Sequence, residues 1–353
     1  MGELNFYQTF VLCWWPVSPC TPGSVCRYGA HDECLHESLG QPLYNESVYF
    51  NFVTRGAGAG PLGGILRVGL RPTDGYAELS LNLPLDGGTT IFLYEREPLD
   101  QGDFHPGAAT WRCAGMELAA IEPLYRWRLR YDGSGPRRLL DARAFGAHPG
   151  ATLRDSPLCT VSLELEFEAG RPIHALSASG DIVAGAGVAF ARDHYEQFGR
   201  ISGTISVDGQ RWSVGGDAFR DHSWGPRDWQ SAPFSDFATL IAADGSAIVA
   251  FSVRIDGRDH VQGVRWDDHG LERLAGFSVA TDYAGGVEIG RSLGLTFTLP
   301  SGSLSYDGAV RAFLPLRHRS GERTVRIGQV LVMFEGSGDA AWGWSDLTRP
   351  ASA

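Results

Sequence analysis

The stretch "GRISGTISVDGQRWSVGG", Gly199 to Gly216, decides the fold. Two strand-like runs meet at Asp208-Gly209, and Asp-Gly suits the positive-φ conformations of a two-residue hairpin. The same pair recurs at Asp74-Gly75, Asp86-Gly87, Asp132-Gly133, Asp244-Gly245, Asp256-Gly257 and Asp307-Gly308, each between strand-like segments. "VSLELEFEA" (Val161 to Ala169) alternates apolar and polar residues, the mark of a strand with one buried face. "RWRLRY" (Arg126 to Tyr131) has the same half-buried pattern. Helix signals are confined to "DARAFGAHPG" and "GDIVAGAGVAFARDHYEQFG". The chain therefore reads as all-β from about Tyr28 onward, antiparallel and up-and-down, closing as a sandwich or barrel.

Composition agrees. The 353 residues include 46 glycines and 19 prolines, which favours short strands and turns over long helices. A net charge of −11 argues against a nucleic-acid partner, since that binding needs clustered Lys and Arg. No apolar run approaches the roughly 18 residues of a membrane span, so stable membrane insertion is not expected.

Three segments are expected. Residues 1–28 read as a poorly ordered extension whose apolar patch "FVLCWWPV" follows Glu3 where a secretory signal needs Lys or Arg. A seam near residues 170–185 then separates an N-terminal β-domain, 29–178, from a C-terminal one, 179–353. Cys13, Cys20, Cys26 and Cys34 lie near the start, but their irregular spacing does not resemble a zinc site, and they read as scattered thiols of a cytoplasmic protein. No metal is expected.

Two familiar motifs fail on physical grounds. "GAGPLG" (Gly58 to Gly63) matches G-x-G-x-x-G, yet a strand follows it instead of the helix whose N-terminus would receive a pyrophosphate. It reads as a hairpin loop. Asp221, His222 and Ser223 have the letters of a hydrolytic triad, but neighbours on a strand point to opposite faces.

The densest chemistry lies in "GGDAFRDHSWGPRDW", Gly215 to Trp229. On a strand, Arg220, His222 and Trp224 share one face, and Phe219, Asp221 and Ser223 the other. Trp212 has the first parity unless Gly215-Gly216 forms a bulge. Arg227, Asp228 and Trp229 follow a turn at Gly225-Pro226. One reading is structural, with tryptophan plugging a barrel end and Arg and Asp locking a corner. The other is a site, because a buried His and Arg are costly unless paired, and such costs cluster where chemistry happens. In "ARDHYEQFGR", His194 and Glu196 share a face and Asp193 and Tyr195 the other, and the hairpin brings them beside the first cluster. Surface charge at a strand entrance is the alternative. Tyr44, Glu46 and Tyr49 in "YNESVYFNF" read as packing and turn residues.

The segment from Gly199 to Trp229 resembles the signature of the carotenoid 1,2-hydratase and AttH-like superfamily, and "HDECLHESLGQPLYNESVYFNF" looks like the start of its uncharacterised, hydroxyneurosporene-related bacterial members. The resemblance implies two lipocalin-like (calycin-type) antiparallel β-domains packed together. It also implies that a D-H-x-W-G element, here His222 and Trp224, faces the cavity where an isoprenoid double bond is hydrated. The hydratases carry Tyr-x-Asp some 25 residues further on, whereas this chain has "AIVAFSVRID", with no carboxylate before Asp256. The scaffold is also associated with fungal cyclases of Diels–Alder type.

The expected activity is acid/base chemistry at an alkene of a hydrophobic, isoprenoid- or polyketide-like small molecule, without a cofactor: hydration, dehydration, isomerisation or cyclisation. The acid must stay protonated in a dry pocket, and Asp221, Asp228 and Glu196 are the candidates. His222 would shuttle the proton or orient water. Trp224 and Trp229 would face a cationic intermediate. Arg227, Arg220, His194 and Trp212 complete the expected substrate contacts. The alternative is a lipocalin-like carrier that binds such a ligand without reacting.

Overall fold

The computed structural model describes residues 28–55, 60–100, 104–175, 193–228, 234–284, 288–320, 323–334 and 340–350. Twelve strands form the first sheet: β1 (Tyr44–Thr54), β2 (Gly63–Arg71), β3 (Tyr76–Pro84), β4 (Thr90–Pro98), β5 (Thr110–Cys113), β6 (Met116–Glu122), β7 (Arg126–Gly133), β8 (Arg137–Leu139), β9 (Val161–Ala169), β10 (His174–Ala175), β11 (Asp193–Val207) and β12 (Gln210–Pro226). Nine form the second: β13 (Ser235–Ala242), β14 (Ala247–Ile255), β15 (Arg258–Asp267), β16 (Gly270–Arg273), β17 (Gly276–Ala284), β18 (Glu288–Leu299), β19 (Gly302–Ser320), β20 (Arg323–Phe334) and β21 (Ala341–Pro350). All pairings are antiparallel, and each sheet curls round its own apolar core, so the protein is built of two lipocalin-like β-domains.

The sheets change hands between Pro226 and Ser235, not at residues 170–185. Strands β9 and β11, on either side of the expected seam, are neighbours in one sheet, with Ile201 opposite Phe167. Strand β12 then pairs with β1, so the D-H-x-W-G strand belongs to the N-terminal sheet and sits near its middle. Residues 176–192, the centre of that seam, lie outside the described part, as do residues 1–27.

The central hairpin forms as its sequence dictates. Asp208 and Gly209 both have positive φ, 51° and 82°, and the register of β11 on β12 runs unbroken from Asp193 opposite Trp224 to Val207 opposite Gln210. Gly215-Gly216 introduces no bulge. Gly216 instead serves close approach: a Cβ there would stand 1.9 Å from the carbonyl oxygen of Val53. Asp307-Gly308 is not a turn but lies inside β19, where a Cβ on Gly308 would meet Phe334 and Val332 at 2.5 Å. Asp132-Gly133 likewise ends strand β7. "GAGPLG" leads into β2, antiparallel to β1, and no helix follows. In the first helix candidate a 3-10 turn, Arg143–Gly146, precedes the short helix α1 (Pro149–Asp155); of the second, the residues from Asp193 onward are strand β11.

A third apolar layer joins the domains. Tyr49, Phe198 and Phe219 of the first sheet pack against Val249, Trp266 and Trp344 of the second. Asn51 Nδ2 donates to Thr239 Oγ1 at 3.2 Å, Asn82 Nδ2 to Gln329 Oε1 at 3.1 Å, and Trp344 Nε1 to the Phe52 carbonyl at 2.9 Å. Central strands of the first sheet therefore have two enclosed faces. Cys34 is disulfide-bonded, which departs from the expectation of scattered thiols and removes its support for a cytoplasmic setting; Cys113 and Cys159 are free and buried. Among the described residues no helix is long and apolar enough to cross a membrane.

Gly216→Ala is expected to destabilise the protein by about 1–3 kcal/mol through overpacking. A urea midpoint that does not fall in this variant contradicts the close approach of β12 to β1.

Candidate functional site

A cavity of about 700 Å³ lies between the two sheets. Its N-terminal wall is the outer face of β11, β12, β1 and β2, from which His194, Glu196, Asp221, Ser47, Tyr49 and Arg67 project. Strands β13, β14, β20 and β21 supply Phe237, Phe251, Gln329 and Asp346 opposite. Phe145 and Leu153, the latter on α1, help close one side.

Period-two alternation puts these groups together. Glu196 stands directly across from Asp221 on the paired strands, and His194 across from Ser223. Glu196 is fully buried, and neither carboxyl oxygen has a hydrogen-bond partner among the described residues. Burial, and then the negative charge of Asp221, push its pKa well above the ordinary value of 4.5 and favour the protonated acid. His194 Nε2 lies 3.8 Å from Glu196 Oε1 and 3.7 Å from Asp221 Oδ1. Asp346, reaching in from β21, is lifted to about 7, mainly by burial and further by Asp221, against a hydrogen bond from Gln329. Glu196, Asp221 and Asp346 thus face one common space, and Glu196 and Asp346 are held toward the neutral form.

The rest of the wall is polar on one side. Burial and the neighbouring Arg67 pull Arg227 down to about 9, while Asp221 works the other way. Its Nη1 is 3.5 Å from Ser223 Oγ. Burial would raise Glu78, but Arg67 and Arg71 outweigh it and hold the carboxylate at about 2. Burial keeps the Tyr49 phenol protonated.

His222 and Trp224 do share a face, together with Arg220, but that face is the inside of the first barrel and not the cavity. The reason is the parity of β12: Asp221 looks outward to the second sheet, so its neighbours look inward. There His222 Nδ1 lies 3.0 Å from Tyr195 Oη, and Nε2 lies 3.0 Å from Glu46 Oε1. The Trp111 ring meets the imidazole edge-on at 5.0 Å, and Trp224 stacks on His36 with centroids 4.0 Å apart. Arg220 pairs with Glu33 at 2.9 Å, donates twice to Gln197 Oε1, and lies over the Trp127 ring. Trp127 Nε1 donates to Glu33 Oε2 at 2.7 Å. His222, Trp224 and Arg220, expected to meet substrate, are thus knitted into a packed polar network, whereas His194 and Arg227 do line the cavity. Trp212, on the same face at the far end of β12, covers Gly60. Asp228 is not among the cavity-lining groups, and Trp229 lies outside the described residues.

Sequence reasoning missed Asp346, Gln329, Arg67 and Glu78, and it read Glu46 and Tyr49 as packing or turn residues. Both lie on β1, on opposite faces. The one local signal was an aspartate inside the otherwise aromatic "AWGWSDLTRP". Nothing local announces the others, because the cavity exists only where two sheets meet.

A two-domain lipocalin-like fold with acidic groups in a cavity between its sheets defines the class of protein. Similar architecture occurs in the AttH-like protein NE1406 of Nitrosomonas europaea, at 15% identity and a TM-score of 0.63, covering 94% of this chain and 99% of that one. CghA, solved with Sch210972, is similar at 14% identity and a TM-score of 0.54, covering 87% and 88% of the two chains. Kievitone hydratase from Nectria haematococca is similar at 11% identity and a TM-score of 0.53, over 92% and 93%. At these identities the likeness is one of fold. No curated protein matches the sequence. The chain belongs to the DUF7064 family, a domain of unknown function, whose model matches residues 29–351.

The proton held by Glu196 has a thermodynamic signature. Above about pH 4.5 the unfolded chain loses this proton while the folded one keeps it, so folding stability falls as pH rises until Glu196 itself ionises. In Glu196→Gln the decline in denaturation free energy as pH rises above about 4.5 becomes shallower, by up to about 1.4 kcal/mol per pH unit. Parallel curves for the two proteins would show that Glu196 is ionised in the folded state.

Proposed function

We propose that the protein is an enzyme that carries out acid/base chemistry at an alkene of a hydrophobic small molecule held between its sheets, with hydration as the leading reaction. The observation that supports this most is the fully buried, proton-holding Glu196 carboxyl beside Asp221 in the cavity. A carboxyl with no hydrogen-bond partner is destabilising by about 1–3 kcal/mol, and such a group is worth keeping where it is to give up its proton.

In hydration, Glu196 gives its proton to one alkene carbon and the other carbon becomes cationic. Aromatic walls at Tyr49, Phe237 and Phe251 face that charge without a nucleophile to trap it. Asp221, as carboxylate, takes a proton from water as its oxygen bonds to the cation. The net change is addition of water, and the proton on Asp221 returns to Glu196 across the strand pair. His194, within 4 Å of both carboxyls, orients them and the water. Asp346 is a second proton reservoir opposite. Loss of a proton from carbon in place of water addition would give isomerisation with the same groups. CghA and kievitone hydratase, by their names and bound molecule, are handlers of organic small molecules on this fold, and that agrees with the reading.

Native mass spectrometry of the full chain tests occupancy, and Glu196→Gln tests chemistry. With the co-purifying molecule or its unsaturated precursor as substrate, Glu196→Gln and Asp221→Asn should each lower kcat by at least about 100-fold while ligand binding persists. Turnover unchanged in both variants removes the mechanism. Binding with no turnover by the wild type leaves a carrier. Ser80→Trp, which fills the cavity from β3, should abolish binding.

A further inference from the structure

The His222 network faces away from the cavity and has no part in the chemistry above. We propose that His36, Glu46 and His222 form a divalent-cation site of the zinc class that fastens residues 29–36 into the mouth of the first barrel. One ligand atom from each of the three lies within 4.8 Å of the others. Both imidazoles converge on the same carboxylate oxygen, Glu46 Oε1, from His36 Nδ1 at 2.7 Å and His222 Nε2 at 3.0 Å. A tetrahedral ion bound at roughly 2.0–2.2 Å would hold its ligands about 3.3–3.6 Å apart, so a small outward shift of the two rings from the carboxylate admits one.

The surrounding contacts aim all three groups. Glu46 Oε2 is occupied by the His36 backbone N–H at 2.8 Å and the Tyr44 hydroxyl at 3.0 Å, which leaves Oε1 directed at the two rings. The remaining nitrogen of each ring has its own neighbour: Tyr195 Oη at 3.0 Å from His222 Nδ1, and Asp32 Oδ1 at 3.6 Å from His36 Nε2. Outer partners of this kind fix the orientation of metal-bound histidines. His222 and Glu46 are enclosed, whereas the His36 side chain is 23% exposed and gives an ion a way in.

Proton placement points the same way. Tyr195 hydrogen-bonds to the Glu33 carboxylate, which only accepts, so the phenol donates there and its oxygen accepts from His222 Nδ1–H. His222 Nε2 then faces Glu46 Oε1. Asp32, Glu33 and Glu46 set three carboxylates against one guanidinium, that of Arg220. A divalent ion between the two rings, whose centroids stand 5.8 Å apart, would balance two of those negative charges. Two His nitrogens and a carboxylate oxygen suit zinc, with a fourth position for water.

The test uses the full chain, stripped with a chelator and titrated with Zn²⁺ by calorimetry and Co²⁺ by absorption. One equivalent per chain is expected, with a rise in Tm on Zn²⁺ addition and Co²⁺ d–d bands lacking intense thiolate charge transfer. His36→Gln should lose the equivalent and the Tm rise while keeping the wild-type circular dichroism; Glu46→Gln should do the same. Absence of stoichiometric Zn²⁺ and Co²⁺ binding by the stripped wild type overturns the proposal. So does thiolate charge transfer, which places the ion on cysteine, or a full equivalent retained by either folded variant. Should Glu46→Gln fail to fold, His36→Gln, altered at the partly exposed ring, decides.

Discussion

The structure depends on one constraint: β11, β12 and β1 have two buried faces. One lies inside the first barrel, against Trp111, Trp127 and Phe167; the other lies against the second sheet, at Phe237, Val249 and Trp344. A half-buried strand discards its polar residues to solvent at every second position. These strands have no such outlet over much of their length, so each polar side chain must be paired, neutralised or set against a cavity.

The two faces meet that requirement differently. Inside the barrel the charges are paired, in a chain from Gln197 through Arg220, Glu33, Tyr195, His222 and Glu46 to His36. Its members come from β1, β11, β12 and the segment before β1, and each shares a partner with the next. On the outer face Glu196 has no such partner and keeps its proton, while Asp221 and His194 border open volume. A satisfied network rigidifies; an unsatisfied acid beside a void is poised to react. Adjacent residues, 221 and 222, therefore belong to different physical settings although both are titratable and enclosed.

Much of the fold was legible. The Asp208-Gly209 hairpin, the strand at Val161–Ala169 and the half-buried β7 follow from turn chemistry and alternation, both local. Which residues share a face was legible too, since parity needs only a strand: Arg220, His222 and Trp224 together, His194 and Glu196 together. The domain seam was not. The Asp307-Gly308 pair and the stretch near residues 170–185 look like punctuation, yet Gly308 is needed for close packing and β9 continues its sheet through β11. Glu33, Glu46 and Asp346 became visible as site residues through contacts with Arg220, His222 and Asp221, each more than a hundred positions away in the chain.

By itself, the sequence determined the class of fold and the two sets of side chains that each central strand presents, because both follow from interactions within a few residues. Tertiary structure alone decided which set meets a cavity and which is locked into packing. That choice rests on where the second sheet docks, and docking is a property of whole surfaces that no short stretch encodes.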